Sequence, residues 1–455
     1  MITSLHLKNF KAFENLDVNV RPINVILGPN NSGKSSILAA LRILVQTIDS
    51  RDPDVPLLLN GIMGDLGTFK DIVYLNNRKK SVELSIGVNE LRTSKQINEN
   101  IDVGNNFFWN YFSDNEIKLK LLYKYRSIRR EVVLNSCVLE GKKKNLLSTK
   151  YSEDSEKTIL DVIGGKEIPP SLKSSFSRNL RMRNFIPQLI ILYSTEQELS
   201  DLFEKDPRNI IRDISNASRA FTRCIENIEY IGAMRVPPSR IYPYSGERRN
   251  RIGASGENVA NILAMDAAKG SKKVKNIIMQ ANDWLVKAGI ASNLSIKPTS
   301  DSFYELRVQH PITNEIENLA DVGIGNSQIL PILVGGFNLK SGSTYLVEEP
   351  EIHLHPKAQA ELGSFFLDLY KGGIQSIIET HSEYLVIRLQ QYVADRLISP
   401  KDIQFLYIDT DNEKKRVIKL ELDKDGFFTT EWPGGFFPEK LEEAKKLARI
   451  RMKYS

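Results

Sequence analysis

The sequence predicts an α/β fold, in which a mixed sheet with flanking helices is combined with an antiparallel β-layer and an inserted, mainly helical region. An apolar run at residues 23–27 leads through a Gly/Pro/Asn-rich loop into a segment with helical spacing, as a buried strand followed by a helix would. Residues 81–88, 117–125 and 131–139 alternate in polarity and predict the antiparallel layer. From residue 320 to about residue 420, helical and extended patterns alternate, as a parallel sheet requires.

The other segments are assigned from periodicity and composition. Residues 2–7 and 16–20 alternate in polarity and predict two strands ahead of the apolar run. Residues 140–180 are polar, with three consecutive lysines and scattered serines, which favours a mobile loop. The apolar residues within residues 195–228 have helical spacing and predict helices there. Residues 438–452 predict a C-terminal helix whose apolar face packs on the rest of the chain or on a partner protein.

Composition favours an ordinary globular protein. Hydrophobic residues make up 41% and charged residues 26% of the chain, so a sizeable core is available. No apolar run is long enough to span a membrane, and the N-terminus does not resemble a secretion signal. Two cysteines, Cys137 and Cys224, make neither a disulfide framework nor a metal cluster, which favours a reduced, cytoplasmic compartment. The net charge of +6 permits nucleic-acid binding without indicating it.

Residues 28–35 match the pattern G-x-x-x-x-G-K-[ST] between a predicted strand and a predicted helix, which is the context that the motif needs. Backbone N–H groups and the helix N-terminus form an anion cradle in such a loop. Lys34 adds a positive charge at the outer phosphates, and the hydroxyl of Ser35 is placed to coordinate Mg²⁺. The predicted ATP-binding residues here are Asn30, Asn31, Ser32, Gly33, Lys34, Ser35 and Ser36.

Polar side chains also follow two later apolar strands. The first strand ends in Glu348 and Glu349. We expect Glu348 to ligate Mg²⁺, and Glu349, which projects differently, to polarise the attacking water as a general base. The second strand leads to His381, whose imidazole is suited to contacting a γ-phosphate and water. Glu349 and His381 are therefore the predicted catalytic residues, and Ser35 and Glu348 the predicted metal ligands.

A second glycine-rich loop, residues 321–328, opens another apolar helix and is a further anion-binding device. One chain rarely needs two such loops for one nucleotide. We therefore expect a second copy of the chain to present this loop to the γ-phosphate. Gly323, Gly325 and Ser327 are its predicted nucleotide contacts.

Together these motifs resemble the ABC/SMC-like branch of P-loop ATPases, and within it the bacterial single-head group allied to the overcoming-lysogenization-defect (OLD) nucleases. GPNNSGKSS is similar to the phosphate loop of that family, YLVEEPEIHLHP to its acid strand and D-loop, and ETHSEYL to its switch-histidine segment. The resemblance covers about the first 75 residues and about residues 230–440 in motif order. It implies a P-loop NTPase head of ABC type, ATP and Mg²⁺ as cofactors, and two heads that sandwich two ATP molecules.

A narrower resemblance rests on residues 230–235, 238–240, 253–257 and 432–437. These segments are similar to an AAA family of ATPases that sit beside nucleases in antiphage systems, with Septu-type ATPases the nearest. In the signature loop, Asp321 stands where the family usually has a serine.

The motifs divide the chain into four segments. Residues 1–76 are the N-terminal part of the ATPase head, and residues 77–230 are the β-layer with the helical insertion. Residues 231–425 are the C-terminal part of the head, and residues 426–455 are a tail with the C-terminal helix.

Three other patterns have simpler explanations than a site. His353 and His355 lack a third ligand nearby, so we interpret them as structural rather than as a metal pair. Asp409 and Asp411 resemble the DxD of a nuclease domain, but a hairpin turn explains them. Basic and aromatic residues interleave at residues 240–251, as in nucleic-acid grooves, although a solvated loop is the commoner explanation.

We therefore predict an ATP hydrolase that forms a dimer or higher homo-oligomer around ATP. It would control a partner effector, such as a nuclease, in bacterial antiviral defence, with no membrane partner. The alternative is an OLD-like ATP-dependent nuclease or a DNA-maintenance ATPase that acts directly on DNA. A transporter ATPase would share the site chemistry, but it fits poorly with a broad insertion between the two glycine-rich loops.

Overall fold

The computed structural model describes most of the chain. The described residues are 1–89, 116–141, 145–189, 207–244, 246–247, 249–268, 276–411 and 414–433. The predicted C-terminal helix at residues 438–452, residues 195–206 of the predicted helical stretch and Arg248 of the basic segment lie outside them.

The described residues form strands and helices throughout the sequence. The strands are β1 (Ile2–Phe10), β2 (Phe13–Asn19), β3 (Ile23–Leu27), β4 (Asn60–Gly61), β5 (Gly64–Asp65), β6 (Val82–Asn89), β7 (Glu116–Arg126), β8 (Glu131–Glu140), β9 (Asn145–Ser152), β10 (Lys157–Ile163), β11 (Lys166–Glu167), β12 (Leu180–Arg183), β13 (Ile186–Leu189), β14 (Ile228–Ile231), β15 (Tyr242–Pro243), β16 (Asn293–Ser300), β17 (Phe303–Gln309), β18 (Ile316–Asn318), β19 (Thr344–Glu348), β20 (Gln375–Glu379), β21 (Ile403–Asp411) and β22 (Lys414–Leu420). The helices are α1 (Lys34–Ile48), α2 (Phe69–Ile72), α3 (Pro170–Arg178), α4 (Pro207–Glu226), α5 (Val259–Ala268), α6 (Ile277–Ala288), α7 (Ile324–Phe337), α8 (Pro356–Lys371) and α9 (Glu383–Ala394).

An antiparallel sheet contains the strands of the predicted β-layer, in the order β11-β10-β9-β8-β7-β6-β1-β2. Its register follows from alternating polarity, because successive side chains of a strand point to opposite faces. In β7, every second residue from Ile117 to Tyr123 is buried, and the residues between them are partly exposed. β1 pairs with β6, so the layer is continuous with the N-terminal strands.

The prediction of a mobile loop at residues 140–180 is wrong for its described part. Residues 145–163 contain β9 and β10, which pair with each other, and β9 also pairs with β8. Leu147, Leu160 and Ile163 are fully buried, because they lie on the core face while most of the serines and lysines lie on the other. The many polar residues of this segment concealed the two-residue alternation of buried and exposed side chains that is typical of strands. Among the described residues, the predicted helical character of the insertion is confined to α3 and α4.

A second sheet forms the centre of the molecule, in the order β14-β19-β20-β3-β21-β22. The first five strands run parallel, and β22 is antiparallel to β21. β3 and β20 are buried at every residue, as strands covered on both faces must be. The mixed sheet with flanking helices, predicted from the alternation after residue 320, is confirmed.

The two faces of the central sheet contribute to two different hydrophobic cores. On one face, Ile26 and Ile377 pack in a core shared with α1 and the antiparallel sheet. On the other face, Val25 and Ile378 pack in a core shared with helices α5 to α9. Neighbouring residues of each strand therefore point into different cores. A shift of one residue would move each side chain into the wrong core, so the pattern fixes the register of the strands.

A small third sheet precedes the second glycine-rich loop. It has the order β15-β17-β16, and β18 pairs with the free side of β17. Contacts with α5 and α6 connect this sheet to the core that holds α7. No helix in the described ranges is both long enough and apolar enough to cross a membrane.

Candidate nucleotide site

The predicted site residues meet at the carboxyl edge of the central sheet. β19, β20 and β3 are neighbouring parallel strands, with Glu348 in register with Glu379 and Glu379 in register with Ile26. The loop after β3 therefore opens beside the acids that end β19 and β20. Ligands bind at this edge in open parallel sheets. The structure thus brings the phosphate loop, Glu349 and His381 to one place.

The phosphate loop needs glycine at two positions. The φ angles of Gly28 and Gly33 are 142° and 105°, in a range that side chains with a Cβ rarely adopt. A Cβ on Gly33 would also lie 2.6 Å from the Cβ of Ala12. Between the glycines, Asn31 has a φ of 62°, a conformation that asparagine tolerates better than most residues. The chain then enters α1 at Lys34, so loop and helix N-terminus form one run of backbone donors.

The Lys34 ammonium group lies inside this loop. Its Nζ donates hydrogen bonds to the carbonyl oxygens of Gly28 and Pro29, at 3.1 and 3.0 Å, and the residue is only 4% exposed. Burial lowers the pKa of Lys34, while the carboxylates of Glu379 and Glu349 raise it. A phosphate oxygen could take the place of the two carbonyls.

The remaining predicted loop residues differ in exposure. Ser32 and Ser36 are buried, and the hydroxyl of Ser32 has no hydrogen-bond partner within the described part of the chain. The exposed residues are Asn30, Asn31 and Ser35.

Glu348, the predicted metal ligand, already has partners from the protein. Its Oε1 lies 3.5 Å from Nη1 of Arg42, and it accepts hydrogen bonds from the Tyr230 hydroxyl and the Ala233 backbone. The Arg42 guanidinium also stacks 4.2 Å from the centre of the Tyr230 ring. Burial raises the pKa of Glu348, and the charge of Arg42 opposes that effect. The negative charge of Glu348 is therefore balanced by Arg42.

Glu349, the predicted general base, lies in a turn that is held on both sides. Its φ is 43°, an unusual value for glutamate, and its backbone N–H donates to the carbonyl of Glu379 at 2.7 Å. Nη2 of the buried Arg235 donates to the carbonyls of Glu348 and Glu349, at 2.7 and 3.1 Å. Strained backbone of this kind persists only where the surroundings determine it. Here Arg235 and the end of β20 hold the backbone of Glu349 in this conformation.

Glu379 was not among the predicted site residues, yet it lies at the centre of the cluster. It is 3% exposed, and its Oε1 accepts a hydrogen bond from Oγ of Ser35 at 3.0 Å. Nζ of Lys34 is 4.0 Å from the same oxygen. Burial, followed by the nearby charge of Glu348, raises the pKa of Glu379 to about 7. Its Oε2 is buried and has no hydrogen-bond partner among the described residues.

His381 lies on the exposed side of the cluster, where its backbone N–H donates to Oε1 of Glu351. Partial desolvation and the Lys34 charge lower the pKa of His381, and Glu349 opposes them. The imidazole is thus favoured in its neutral form, which can donate at one nitrogen and accept at the other. Glu351, buried and unassigned by the sequence, links the turn after β19 to the turn after β20.

The arrangement suits Mg²⁺ bound together with a nucleotide. Mg²⁺ usually takes one or two protein oxygens and completes its shell with phosphate oxygens and water. Ser35 and Glu379 offer two such oxygens 3.0 Å apart, with a second Glu379 oxygen unpartnered. In the described ranges, no group of three or more His, Cys, Asp or Glu residues is arranged to hold a metal ion by itself.

The second glycine-rich loop lies against the segment after β19. A Cβ on Gly325 would be 2.7 Å from the His353 carbonyl oxygen, and the buried Ser327 lines a cavity together with Pro331 of the same helix. Gly323 is the N-cap residue of α7 and makes no side-chain cap. Asp321, in the place of the family's serine, accepts hydrogen bonds from Arg240 at 3.0 and 2.5 Å. Its carboxylate is therefore already engaged within the chain.

Sequence reasoning missed residues for two different reasons. Glu379 ends an apolar strand, which is the same signal that identified Glu348, so this residue could have been predicted from the sequence. Arg42 was not, because it reaches the acids from a separate element and no local pattern marks it. Tyr230 and Arg235 lie in residues 230–235 of the narrower family resemblance, which gave neither of them a role at the site.

Two residues of the other patterns, His355 and Asp409, have structural roles. His355 is the N-cap of α8, and its Nδ1 accepts from the Lys357 backbone at 3.3 Å. Asp409 accepts from Nη2 of Arg416 at 2.8 Å across the β21–β22 pairing, as the hairpin interpretation predicts.

Comparison with known proteins gives a family match and short local similarities. The AAA ATPase domain family matches residues 1–386. An uncharacterized protein of Methanocaldococcus jannaschii is 34% identical over 92 residues, which are 19% of this chain and 41% of that protein. The DNA replication and repair protein RecF of Roseiflexus castenholzii is 37% identical over 68 residues, 14% of this chain and 17% of that protein. The chain thus spans less than half the length of either curated relative.

Among solved structures, an SMC head bound to the C-terminal winged-helix domain of ScpA has 13% identity and a TM-score of 0.48, covering 93% of this chain and 99% of that chain. The family match spans most of the sequence and includes the phosphate loop and both acid-bearing strand ends. The chain therefore belongs to the AAA ATPase domain family.

Proposed function

We propose that this chain binds ATP with Mg²⁺ at the carboxyl edge of the central sheet and hydrolyses it. The observation that carries the proposal is the meeting of the Lys34 loop with Glu348, Glu349 and Glu379 at the ends of two adjacent parallel strands. A buried cation beside three carboxylates is an arrangement for handling a charged ligand and its counter-ion.

The residues have separate tasks in this proposal. The loop from residue 30 to Ser36 would bind the phosphates through its backbone N–H groups, and Lys34 would exchange its two carbonyl partners for phosphate oxygens. Glu349 would accept the proton of the attacking water, and neutral His381 would hold that water and the γ-phosphate in line. A bound Mg²⁺ would supply charge neutralisation at the outer phosphates.

A second copy of the chain would complete the site. The N-terminus of α7 carries backbone donors with no side-chain cap, and Gly323, Gly325 and Ser327 lie along it. Donors of this kind favour an anion. This loop lies against His353 of its own chain, and we propose that its donors meet the γ-phosphate of a partner copy.

Closure and opening of such a dimer would make the protein a switch. ATP bound across the interface would favour the closed pair, and hydrolysis would release it. The motif resemblance to antiphage ATPases supports control of an effector protein, such as a nuclease, in bacterial antiviral defence.

The second candidate function is DNA maintenance, including an OLD-like ATP-dependent nuclease. The local similarity to a RecF protein favours it. DNA that stimulates ATP turnover by the purified chain would support this role, and a co-purifying nuclease that responds to nucleotide state would support effector control.

The decisive test of ATP hydrolysis is Glu349→Gln. The amide keeps the size of the side chain but cannot accept the proton, so turnover should fall about 100-fold or more. ATP binding should persist, because the phosphate loop is untouched. Turnover is measured as phosphate release, and binding by titration with a fluorescent ATP analogue.

Two control variants sharpen the result. Lys34→Ala should lose nucleotide binding itself, and Glu315→Gln, in an exposed turn of the small sheet, should change neither property. If Glu349→Gln bound ATP normally and hydrolysed it at the unmodified rate, the assignment of the base would be wrong.

A further inference from the structure

Two acids occupy equivalent positions at the ends of adjacent strands, but their surroundings differ. Glu348 and Glu379 are paired in register. Glu348 has a cation, Arg42, and a hydroxyl donor, Tyr230. Glu379 has the hydroxyl of Ser35 on one oxygen and, among the described residues, no hydrogen-bond partner on its other, buried oxygen.

A buried carboxylate oxygen without a partner is costly, because water no longer solvates it. Lys34 does not remove that cost, since its Nζ is 4.0 Å away from the other oxygen and donates to Gly28 and Pro29 instead. The orphaned oxygen lies at the mouth of the phosphate loop, next to the hydroxyl that is predicted to bind metal. A cation that enters with the nucleotide would supply the partner that this oxygen lacks.

Glu348 is a poorer candidate for this role. A divalent cation bound to it would lie near the Arg42 guanidinium, 3.5 Å from the same carboxylate, and the two positive charges would repel. Lys34 lies farther from Glu379, at 4.0 Å, and in the proposed complex the phosphates would balance its charge. Arg42 is also held in place, because its Nε donates to the Met63 carbonyl at 2.9 Å and its guanidinium stacks on Tyr230. The Arg42 charge is thus a fixed feature of the Glu348 side.

We propose that Glu379, and not Glu348, is the carboxylate that holds the divalent cation beside Ser35, and that Glu348 anchors Arg42 and the end of β14. This inference rests on the proposed binding of a metal–nucleotide complex by the phosphate loop. It assigns the metal to the acid that precedes the switch-histidine turn, so that metal and His381 are coupled through one short segment, residues 379–381.

The test compares two isosteric variants, Glu379→Gln and Glu348→Gln, in the full chain. The probe is the non-hydrolysable analogue AMP-PNP, titrated with and without Mg²⁺, and Mn²⁺ binding is followed by electron paramagnetic resonance. In Glu379→Gln, the gain in AMP-PNP affinity due to Mg²⁺ and the affinity for Mn²⁺ should fall by about 10- to 100-fold. In Glu348→Gln, both should fall clearly less than in Glu379→Gln, because no metal contact is removed.

Metal-free AMP-PNP binding is the internal control. It should be unchanged or tighter in Glu379→Gln, because a negative charge near the phosphates is lost. Thermal unfolding should show Glu379→Gln at least as stable as the unmodified chain, since a buried charge is removed. Glu379→Asp is the second variant, and its retained but weaker metal dependence would support a role for the carboxylate.

Each outcome separates the two proposals. Full metal dependence in Glu379→Gln, with loss in Glu348→Gln, would overturn this inference and leave ATP binding standing. If the unmodified chain bound no AMP-PNP under any condition, the proposed function and this inference would fall together.

Discussion

The two glycine-rich loops differ in how far the chain itself determines their shape. In the phosphate loop, Gly28 and Gly33 have positive φ angles, and a Cβ on either would lie within 2.6 Å of another atom. Lys34 fills the loop from inside. In the second loop, Gly323 has a φ of −53°. Apart from its chain neighbours, no atom of the described residues lies within 4 Å of the point that a Cβ on Gly323 would occupy.

Contacts within the chain therefore determine the shape of the phosphate loop, whereas they leave the space around Gly323 in the second loop unfilled. The phosphate loop has a shape that internal contacts over-determine, as a preorganised binding site requires. In the second loop, Gly323 adds no side-chain cap to the N-terminus of α7, and Asp321 is paired at the surface with Arg240. The asymmetry supports the proposal of a site that needs a second copy.

The largest effect is expected for Gly33→Ala. Its φ of 105° and the 2.6 Å approach to the Ala12 Cβ both oppose a methyl group. The backbone strain alone should lower the free energy of unfolding by about 1–3 kcal/mol. Nucleotide binding should be lost, because the donors of the loop move. Chemical denaturation and nucleotide titration measure the two effects.

Gly323→Ala is the matched control. An alanine there has a permitted backbone and open space, so only its weaker N-cap preference should lower the free energy of unfolding, by no more than about 1 kcal/mol. Equal destabilisation by the two variants would show that the loops do not differ as described.

The same contrast explains what the sequence could predict. The phosphate loop and the end of β19 were recognisable because their chemistry is local: glycines, a lysine and acids at fixed offsets after an apolar strand. The core strands β9 and β10 were missed, because their polar faces dominated the composition of residues 140–180. The partners of Glu348 could not be predicted, since Arg42 and Tyr230 come from distant segments and meet only in the folded chain.

Gly323→Asp should change the stability of the chain only slightly but lower ATP turnover strongly. Aspartate is a better N-cap than glycine by a few tenths of a kcal/mol, so α7 should be at least as stable as before. Its negative charge would repel the γ-phosphate of a partner copy. ATP turnover should therefore fall while nucleotide binding to the chain's own phosphate loop persists. Gly323→Asn supplies the same cap without the charge and should retain more turnover.

Mixing experiments then decide whether the loop acts in trans. A mixed dimer of Lys34→Ala and Gly323→Asp chains would contain one doubly defective and one intact shared site, so part of the turnover should return. Gly325 is a less suitable position for the charge, because a Cβ there would lie 2.7 Å from the His353 carbonyl oxygen. Verified mixed dimers without any recovered turnover would count against a shared site.

The smallest effect is expected at the surface pair of the second loop. The side chains of Arg240 and Asp321 are 70% and 40% exposed, so water and salt screen their attraction. A double-mutant cycle with Asp321→Asn and Arg240→Gln should give a coupling free energy of about 0.2–1 kcal/mol, which decreases at high salt. A coupling above about 2 kcal/mol would exceed the range for exposed pairs. In that case the Asp321–Arg240 pair would stabilise the second loop through contacts within the chain, as Lys34 stabilises the phosphate loop. The two loops would then not differ in how far the chain determines their shape.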